Sequence, residues 1–300
     1  MCNTNINYAG IDFKNPIVLA SGTCGFGNVL DEIFPIEKLG GISSKGLTLD
    51  KRPGNEGIRI WETSSGIMNS VGLENPGVEG FIDKYLDFIN KKNIVNIVNI
   101  NGHSIDEYLK EIEILNREEI DIIELNIACP NIKGGGLSFG VKTEIARELL
   151  REVRRICRHK LVVKLSPNAE DIVDLAVMCE DEGADGVSLI NSFLAMAVDI
   201  KNKKPVFNNV YAGLTGPAIK PVALRMVHQV SKAVSIPIMG QGGISTWEDA
   251  IEFLMVGARV LQVGSATFAK PDVSLDIING IEKYLKNNKL DSIEEIIGII

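Results

Sequence analysis

Short, nearly continuous runs of apolar residues recur along the chain and alternate with longer segments of helical periodicity. Such runs are typical of strands in a parallel sheet whose two faces are covered by helices. Eight of them predict strands, at residues 16–21, 41–45, 94–99, 121–126, 161–165, 185–190, 236–240 and 259–264. Eight strand–helix units indicate an α/β fold of the (β/α)8 TIM-barrel type rather than an open, doubly wound sheet.

The segments between the runs carry residues that begin helices. Thr143 is a candidate N-cap for a helix over 143–158, and Ser245 and Glu248 have the spacing of a capping box. Pro217 predicts the start of a further helix, because a first helical turn does not need the N–H that proline lacks.

Two regions lie outside the strand–helix repeat. Residues 6–14 predict a small N-terminal β-hairpin below the barrel, and residues 46–80 predict an extended loop region rich in glycine and polar residues. Loops of that length in a compact domain are usually functional. No segment has the composition of a linker, so we expect a single domain over residues 1–300.

Composition and charge exclude several classes of protein. Of the 300 residues, 45% are hydrophobic and 23% are charged, which is ordinary for a globular protein. A net charge of -8 argues against binding to nucleic acid or to an anionic membrane. No segment predicts a signal peptide, and no run reaches the roughly 18 apolar residues of a transmembrane helix. We therefore expect a cytoplasmic protein without a nucleic-acid or membrane partner.

The five cysteines are scattered and form no CxxC pair. They are Cys2, Cys24, Cys129, Cys157 and Cys179. Such a set suits neither a disulfide framework nor a zinc site and is typical of a reduced compartment. None of the three histidines has a second ligand at metal-binding spacing, so the sequence predicts neither a metal centre nor a Ser–His–Asp site.

Residues at the carboxyl ends of the predicted strands are candidates for chemistry, because TIM-barrel active sites lie there. These residues are Ser21, Lys45, Gly46, Asn99, Asn126, Lys164, Asn191, Ser192, Gly242, Gly243, Gly264 and Ser265. The glycine-rich turns after the seventh and eighth strands occupy the usual position of a phosphate site in this fold. Glycine there lets backbone N–H groups approach an anion.

Lys164 lies within an apolar strand, where burying a lysine is unfavourable unless an anion lies beside it. Two uses remain open at this point. The amine could form a Schiff base, as in aldolase-type barrels, or the ammonium could stabilise a reduced, anionic flavin ring. Lys45 has the same ambiguity.

Four asparagines follow strand ends or lie in predicted active-site loops: Asn69, Asn126, Asn131 and Asn191. Their amides offer paired donors and acceptors without charge, which suits a planar ligand such as a pyrimidine. The glycine-rich run at 22–27 lacks the spacing and context of a dinucleotide-binding motif, so we predict no Rossmann-type site.

Cys129 is the main candidate for a reactive thiol. It follows the fourth predicted strand and precedes Pro130, which favours an extended backbone at Cys129. Its thiolate could act as a base or as a nucleophile if the site lowers its pKa. Cys24, beside the end of the first strand, is a second candidate.

Taken together, these residues resemble the dihydroorotate dehydrogenases of pyrimidine synthesis. The resemblance covers nearly the whole chain and is most specific in NSVGLENPG and LNIACPN. The matching stretches are NPIVLASGT at 15–23, SKG at 44–46, NSVGLENPG at 69–77, ELNIACPN at 124–131, VKLSPN at 163–168, ADGVSLINS at 184–192, GLTGPAIKP at 213–221, GQGGI at 240–244 and VGSATF at 263–268.

The resemblance implies class 1B, the NAD-linked type. Class 2 enzymes use a serine base and carry an N-terminal membrane-association segment, whereas here Cys129 occupies the base position. The loop CPNIKGGGLSFG is similar to class 1B and differs from the fumarate-linked class 1A. In class 1B the barrel chain binds one FMN, and a second subunit with FAD and a 2Fe–2S cluster passes electrons to NAD. The implied assembly is a homodimer of barrels within a heterotetramer.

The family's residue roles carry over to matching positions of this sequence. Cys129 would take the proton from C5 of dihydroorotate while hydride leaves C6 for the flavin. The implied substrate contacts are Lys45, Asn69, Ser70, Val71, Gly72, Leu73, Asn126, Asn131, Asn191 and Ser192. The implied FMN contacts are Ser21, Lys45, Gly46, Asn99, Asn126, Lys164, Ile190, Gly216, Gly242, Gly243, Gly264 and Ser265. Ser192 is a modest departure, because relatives often have threonine there, but the hydroxyl is retained.

Three alternatives remain at this stage. One is another flavoenzyme, either of class 1A or similar to the barrel of dihydropyrimidine dehydrogenase. A second is a flavin-free lyase or synthase that uses Lys164 as a Schiff base. The third, a non-catalytic barrel, is disfavoured by the polar residues that converge at the strand ends.

Overall fold

Eight parallel strands close into a barrel at the centre of the molecule. The structure is a computed structural model and describes residues 2–127 and 142–300. In chain order, which is also their order around the barrel, the strands are β1 (Ile17–Leu19), β2 (Gly41–Ser43), β3 (Val95–Ile100), β4 (Ile122–Asn126), β5 (Lys160–Lys164), β6 (Gly186–Leu189), β7 (Ile238–Gln241) and β8 (Ala258–Val263). The predicted TIM barrel is confirmed.

Helices follow the strands and cover the outside of the barrel. They are α1 (Asn28–Asp31), α2 (Val78–Phe81), α3 (Ile105–Leu115), α4 (Thr143–Ile156), α5 (Ile172–Asp181), α6 (Lys220–Ser231), α7 (Trp247–Met255) and α8 (Val273–Asn287). α2 continues through a π-helical turn at Ile82–Leu86 into Asp87–Asn90, and a short helix at Ala266–Ala269 precedes α8. As predicted, Pro217 starts a 3-10 turn that leads into α6. In the described ranges, no helix is long and apolar enough to cross a membrane.

Two predicted helix starts are displaced by one residue. Thr143 is the first residue of α4 rather than its N-cap. The capping box of α7 is formed by Thr246 and Asp249, not by Ser245 and Glu248. Thr246 has the extended backbone of an N-cap residue, so its hydroxyl can accept a hydrogen bond from the Asp249 N–H.

The predicted N-terminal hairpin is confirmed and closes the amino end of the barrel. Its strands, Ile6–Tyr8 and Ile11–Phe13, pair in antiparallel register. Tyr8 is fully buried, and its Oη donates a hydrogen bond to the carbonyl of Val187 at 3.1 Å. Because Val187 lies near the start of β6, the hairpin covers the amino ends of the strands, and the carboxyl ends open at the opposite mouth of the barrel.

A four-stranded antiparallel sheet, here called the upper sheet, joins two long connections. Its strands are, in order, Phe193–Met196, Tyr211–Thr215, Gly66–Asn69 and Ile60–Thr63. Residues 46–80, predicted as an extended loop region, thus contain two of these strands and the start of α2. The upper sheet connects the segment between β2 and α2 to the segment between β6 and α6.

Candidate active site

The predicted strand-end residues converge at the carboxyl mouth of the barrel. Asn126 lies beside Lys164 in the register of β4 and β5. The N–H of Ile190 donates to the carbonyl of Gln241 at 3.0 Å, which ties the ends of β6 and β7 together. Cys129 and Asn131 lie outside the described residues.

A fully buried carboxyl group, Glu124, lies at the centre of the barrel below this mouth. Its Oε1 accepts hydrogen bonds from Ser188 Oγ and Gln262 Nε2, both at 2.7 Å. Its Oε2 accepts from Ser43 Oγ at 2.9 Å and from Asn99 Nδ2 at 2.6 Å. The sequence analysis missed Glu124. Its position within the apolar strand β4, beside the strand that carries Lys164, is the signal that could have revealed it.

Lys164 is inside the barrel and forms an ion pair with Glu124. Its side chain is 5% exposed, and Nζ lies 3.6 Å from Oε2 of Glu124. Burial alone would raise the pKa of Glu124, but the Lys164 ammonium and the hydrogen bonds to the carboxylate outweigh it and lower this pKa. In the described part of the chain, Nζ of Lys164 has this ion pair and no hydrogen bond.

Three of the predicted asparagines form a row of hydrogen bonds across the mouth, and the donor and acceptor ends of each amide are fixed. Because a carboxylate only accepts hydrogen bonds, Nδ2 of Asn99 must face Glu124, and its Oδ1 faces away. Oδ1 of Asn99 accepts from Nδ2 of Asn126 at 3.4 Å. Oδ1 of Asn126 in turn accepts from Nδ2 of Asn191 at 3.5 Å. The buried carboxylate therefore orients amides that a ligand in the mouth would meet.

The segment Asn69–Leu73 is held in one conformation by neighbouring asparagines. Nδ2 of Asn55 donates to both the carbonyl and the hydroxyl of Ser70, each at 3.1 Å. Gly72 has a φ of 77° and packs so closely that a Cβ there would lie 2.4 Å from the Asn55 side chain. Leu73, a non-glycine residue, also has a positive φ, of 56°. Such over-determined backbone is typical of ligand-binding segments.

The upper sheet brings Asn69 and Ser192 together. A Cβ on Gly213 would lie 2.3 Å from Ser192 Oγ and 3.7 Å from Asn69 Nδ2, so both side chains lie over this glycine. Asn168 Nδ2 donates to the carbonyl of Ser192 at 3.1 Å. Asn168 was not among the predicted site residues, although its VKLSPN motif was recognised.

Glycines with left-handed backbone meet where the phosphate site was predicted. The φ angles are 101° at Gly216, 119° at Gly242 and 82° at Gly243. A Cβ on Gly243 would lie 2.8 Å from the carbonyl oxygen of Gly216 and 2.9 Å from Cβ of Lys220, so no side chain fits. Gly216 also lines, with Ser265, a cavity of about 780 Å³ beside these turns. Gly243 after β7 and Ser265 after β8 therefore lie beside Gly216, whereas Gly264 lies against Ala20 and Thr23.

The opposite side of the mouth is formed by the ends of β1 and β2. Gly22 follows Ser21 at the end of β1, and Nζ of Lys45 lies 3.9 Å from the position that a Cβ on Gly22 would take. A Cβ on Gly46 would lie 2.4 Å from Nδ2 of Asn101, which explains glycine after Lys45. The ammonium groups of Lys45 and Lys164 both act on the thiol of Cys24, so Lys45 lies at the same mouth as Lys164.

Cys24 is not a credible catalytic thiol. It is buried, and its Sγ lies 3.4 Å from the carbonyl oxygens of Ala20 and Ser43. Burial raises the pKa of this thiol to about 12, and the ammonium groups of Lys45 and Lys164 offset only part of the effect. The thiol is therefore protonated at neutral pH.

Two buried donors of the mouth that have no hydrogen-bond acceptor fit FMN. The ammonium of Lys164 lacks a hydrogen-bond acceptor, and Nε2 of Gln241 is buried without a partner, both within the described residues. Buried donors of this kind usually have an acceptor, such as the carbonyl oxygens of a flavin ring. The glycine turns at Gly216 and Gly243 offer a cradle for a phosphate. No cluster suited to a metal ion occurs in residues 2–127 and 142–300.

Comparison with known proteins identifies the family of the chain. A family model described as dihydroorotate dehydrogenase matches residues 3–285. A protein of Petrotoga mobilis named dihydroorotate dehydrogenase B (NAD(+)), catalytic subunit, is 54% identical over 300 residues, 100% of both chains. Relatives of the same name from Brachyspira hyodysenteriae and Thermoanaerobacter pseudethanolicus are 47% and 44% identical; each match covers 99% of this chain, and 99% and 98% of the two relatives. The chain therefore belongs to the dihydroorotate dehydrogenase family.

Proposed function

We propose that this chain oxidises (S)-dihydroorotate to orotate in pyrimidine biosynthesis, as the FMN-binding catalytic subunit of an NAD-linked dihydroorotate dehydrogenase. The relatives described above carry the name of that subunit. The observation that carries the proposal is the convergence, at one barrel mouth, of the Lys164 ammonium, the oriented asparagine row and the glycine cradle.

FMN would be held by residues of this mouth. The proposed contacts are Ser21, Lys45, Gly46, Asn99, Asn126, Lys164, Ile190, Gly216, Gly242, Gly243, Gly264 and Ser265. When bound, FMN supplies the acceptor for the hydride that leaves C6 of dihydroorotate. The ammonium of Lys164 would stabilise negative charge on the flavin ring, because a cation in a buried site interacts strongly with nearby charge.

The substrate pyrimidine would be held by amides and hydroxyls of the same mouth. The proposed contacts are Lys45, Asn69, Ser70, Val71, Gly72, Leu73, Asn126, Asn131, Asn191 and Ser192. The fixed direction of the asparagine row suits a ring with both C=O and N–H edges. Cys129 is proposed as the base: its Sγ takes the proton from C5 as hydride leaves C6, so the C5–C6 bond becomes a double bond.

The ion pair at Lys164 argues against the Schiff-base alternative. A lysine that forms a Schiff base must react as a neutral amine. The carboxylate of Glu124, 3.6 Å from Nζ, favours the ammonium form instead. A flavin contact is therefore the better use of this residue.

Electrons would leave the chain through a second subunit that carries FAD and a 2Fe–2S cluster and reduces NAD. The words catalytic subunit in the relatives' name support a partner of this kind. We further propose a homodimer of barrels within a heterotetramer, located in the cytoplasm. Reduction of fumarate by the purified chain without a partner would instead favour class 1A.

An absorbance spectrum of the purified chain tests the proposal. We expect a flavin band that bleaches when dihydroorotate is added without oxygen, and orotate as the product. With the partner subunit present, NAD should be reduced. A protein that binds no FMN, or whose flavin band is unchanged by dihydroorotate, would contradict the proposal.

A further inference from the structure

The layer below Lys164 is polar although it lies in the barrel core. Alternate strands contribute Ser43, Glu124, Ser188 and Gln262, and the other three side chains all donate to Glu124. Such layers in TIM barrels are usually filled by bulky apolar side chains. A layer built of polar groups around one carboxylate therefore needs a reason beyond packing.

The surroundings of Glu124 favour its ionised form, since the Lys164 ammonium and the hydrogen-bond donors around the carboxyl hold its pKa below the usual value. The amide nitrogens of Asn99 and Gln262 can only donate, and they occupy one carboxyl oxygen each, at 2.6 and 2.7 Å. A neutral acid would place a further donor among them. The resulting negative charge is fully buried. In the described residues its ion-pair partner is Lys164.

The pairing leaves the ammonium of Lys164 available to a ligand. Both oxygens of Glu124 are occupied by four shorter contacts, so Nζ at 3.6 Å is held by charge rather than by a hydrogen bond. Among the described residues, the other titratable groups coupled to this pair are Lys45, the protonated Cys24 and the neutral phenol of Tyr8, whose pKa the charge of Glu124 raises. None of them can replace the negative charge of Glu124.

We propose that Glu124 is a positioning residue that acts through Lys164, holding it as a buried ammonium beneath the flavin. The inference rests on the proposed function, because FMN at Lys164 is part of that proposal. Without Glu124, burial and the second ammonium at Lys45 would favour the neutral amine. Glu124 itself lies a layer below the mouth and would not touch FMN.

A double-mutant cycle on the apoprotein tests this coupling. The variants are Glu124→Gln, Lys164→Met and the double variant, and the measurement is the FMN dissociation constant from quenching of flavin fluorescence. We expect Glu124→Gln to weaken FMN binding about tenfold, because the Lys164 ammonium loses the carboxylate that holds it in the barrel core. In the Lys164→Met background the same change should alter binding by less than about threefold. Ser188→Ala, which removes one hydrogen bond and no charge, should behave as wild type to within about threefold.

Equal losses of FMN affinity in the wild-type and Lys164→Met backgrounds would overturn the proposal. Failure of the wild-type chain to bind FMN would instead overturn the proposed function.

Thermal melts of the apoprotein test the ion pair without FMN and keep the proposal testable if Glu124→Gln does not fold. In Lys164→Met, burial should raise the pKa of Glu124, so the melting temperature should fall by roughly 5 °C or more from pH 5 to pH 8 relative to wild type. The variant Lys164→Met/Glu124→Gln should lack this fall. A single Lys164→Met variant with the pH profile of wild type would show that the two charges are not coupled.

Discussion

Two cysteines of this chain were candidates for the reactive thiol, and they differ in what their surroundings allow. Cys24 is buried at the end of β1, and burial raises its pKa to about 12. A base that must take a proton near neutral pH needs a pKa near the working pH. This requirement leaves Cys129 as the proposed base.

Replacing Cys129 with alanine should lower the rate of flavin reduction by dihydroorotate by roughly two to four orders of magnitude, the usual loss for a positioned acid–base group. The flavin should still bind, because the proposed FMN contacts are unchanged. Stopped-flow absorbance measures the rate. Cys24→Ala is the matched control and should react at nearly the wild-type rate; the opposite pattern would reassign the base.

At the scale of a helix, α3 carries a carboxyl group in its buried stripe. Tyr108, Glu111, Ile112 and Leu115 are its buried residues, and Glu111 is fully buried, with the backbone of Leu49 as a hydrogen-bonding neighbour that offsets only part of the effect of burial on its pKa. Burial raises the pKa of Glu111 well above its usual value, and the negative charge of Glu107 adds to the effect. The folded state thus binds a proton that the unfolded chain releases.

Because the folded pKa is the higher one, Glu111 should reduce stability as pH rises above the usual carboxyl range near 4.5. We expect Glu111→Gln to raise the free energy of unfolding at pH 8 by about 1–3 kcal/mol and to change it less at pH 5. Urea unfolding at both pH values measures this. Glu113→Gln, on the exposed side of α3, should change stability by less than about 0.5 kcal/mol. Equal effects of Glu111→Gln at both pH values would refute the argument.

The turn after β7 tolerates no side chain at Gly243. Alanine there would adopt a φ of 82° and place Cβ 2.8 Å from the Gly216 carbonyl oxygen. We expect Gly243→Ala to reduce stability by about 1–3 kcal/mol and also to weaken FMN binding, since the cradle must shift. Gly264→Ala, whose Cβ would meet Ala20 at an ordinary 3.5 Å, should melt as wild type. Unchanged FMN affinity in Gly243→Ala would argue against a phosphate site here.

The elements that could be predicted from the sequence are those with a local signal. The barrel strands are buried on both faces, so each appears as a short apolar run. The upper sheet has a weaker signal, because its strands are short and partly exposed, and the pairing that joins its two local hairpins is long-range; the Asn69–Gly213 contact spans 144 residues. Glu124 was missed for the same reason, because its contacts are long-range. Its hydrogen-bond partners come from four other strands and become neighbours only when the barrel closes.

At the scale of the whole molecule, one face of the upper sheet is apolar and exposed. Met196 and Tyr211 are cross-strand partners, and Leu194 lies on the same face two residues away. These side chains are 50% exposed at Leu194, 49% at Met196 and 52% at Tyr211. An exposed cluster of large apolar side chains is typical of a contact with another protein chain. Homodimer interfaces are the more apolar class, which favours a second copy over an electron-transfer partner.

We therefore expect the wild-type chain to form a dimer through this face. A Leu194→Glu/Met196→Glu variant would bury charge in the contact and should be a monomer, since desolvating unpaired carboxylates outweighs the apolar area gained. Light scattering after size exclusion should show a fall from twice the chain mass of 32.7 kDa to that mass. Val222→Glu, at an exposed position on α6, is the control and should remain a dimer. Circular dichroism should match wild type for both variants, so that a change in mass reports on association alone. A monomeric wild type, or a dimeric Leu194→Glu/Met196→Glu variant, would show that this face has another role.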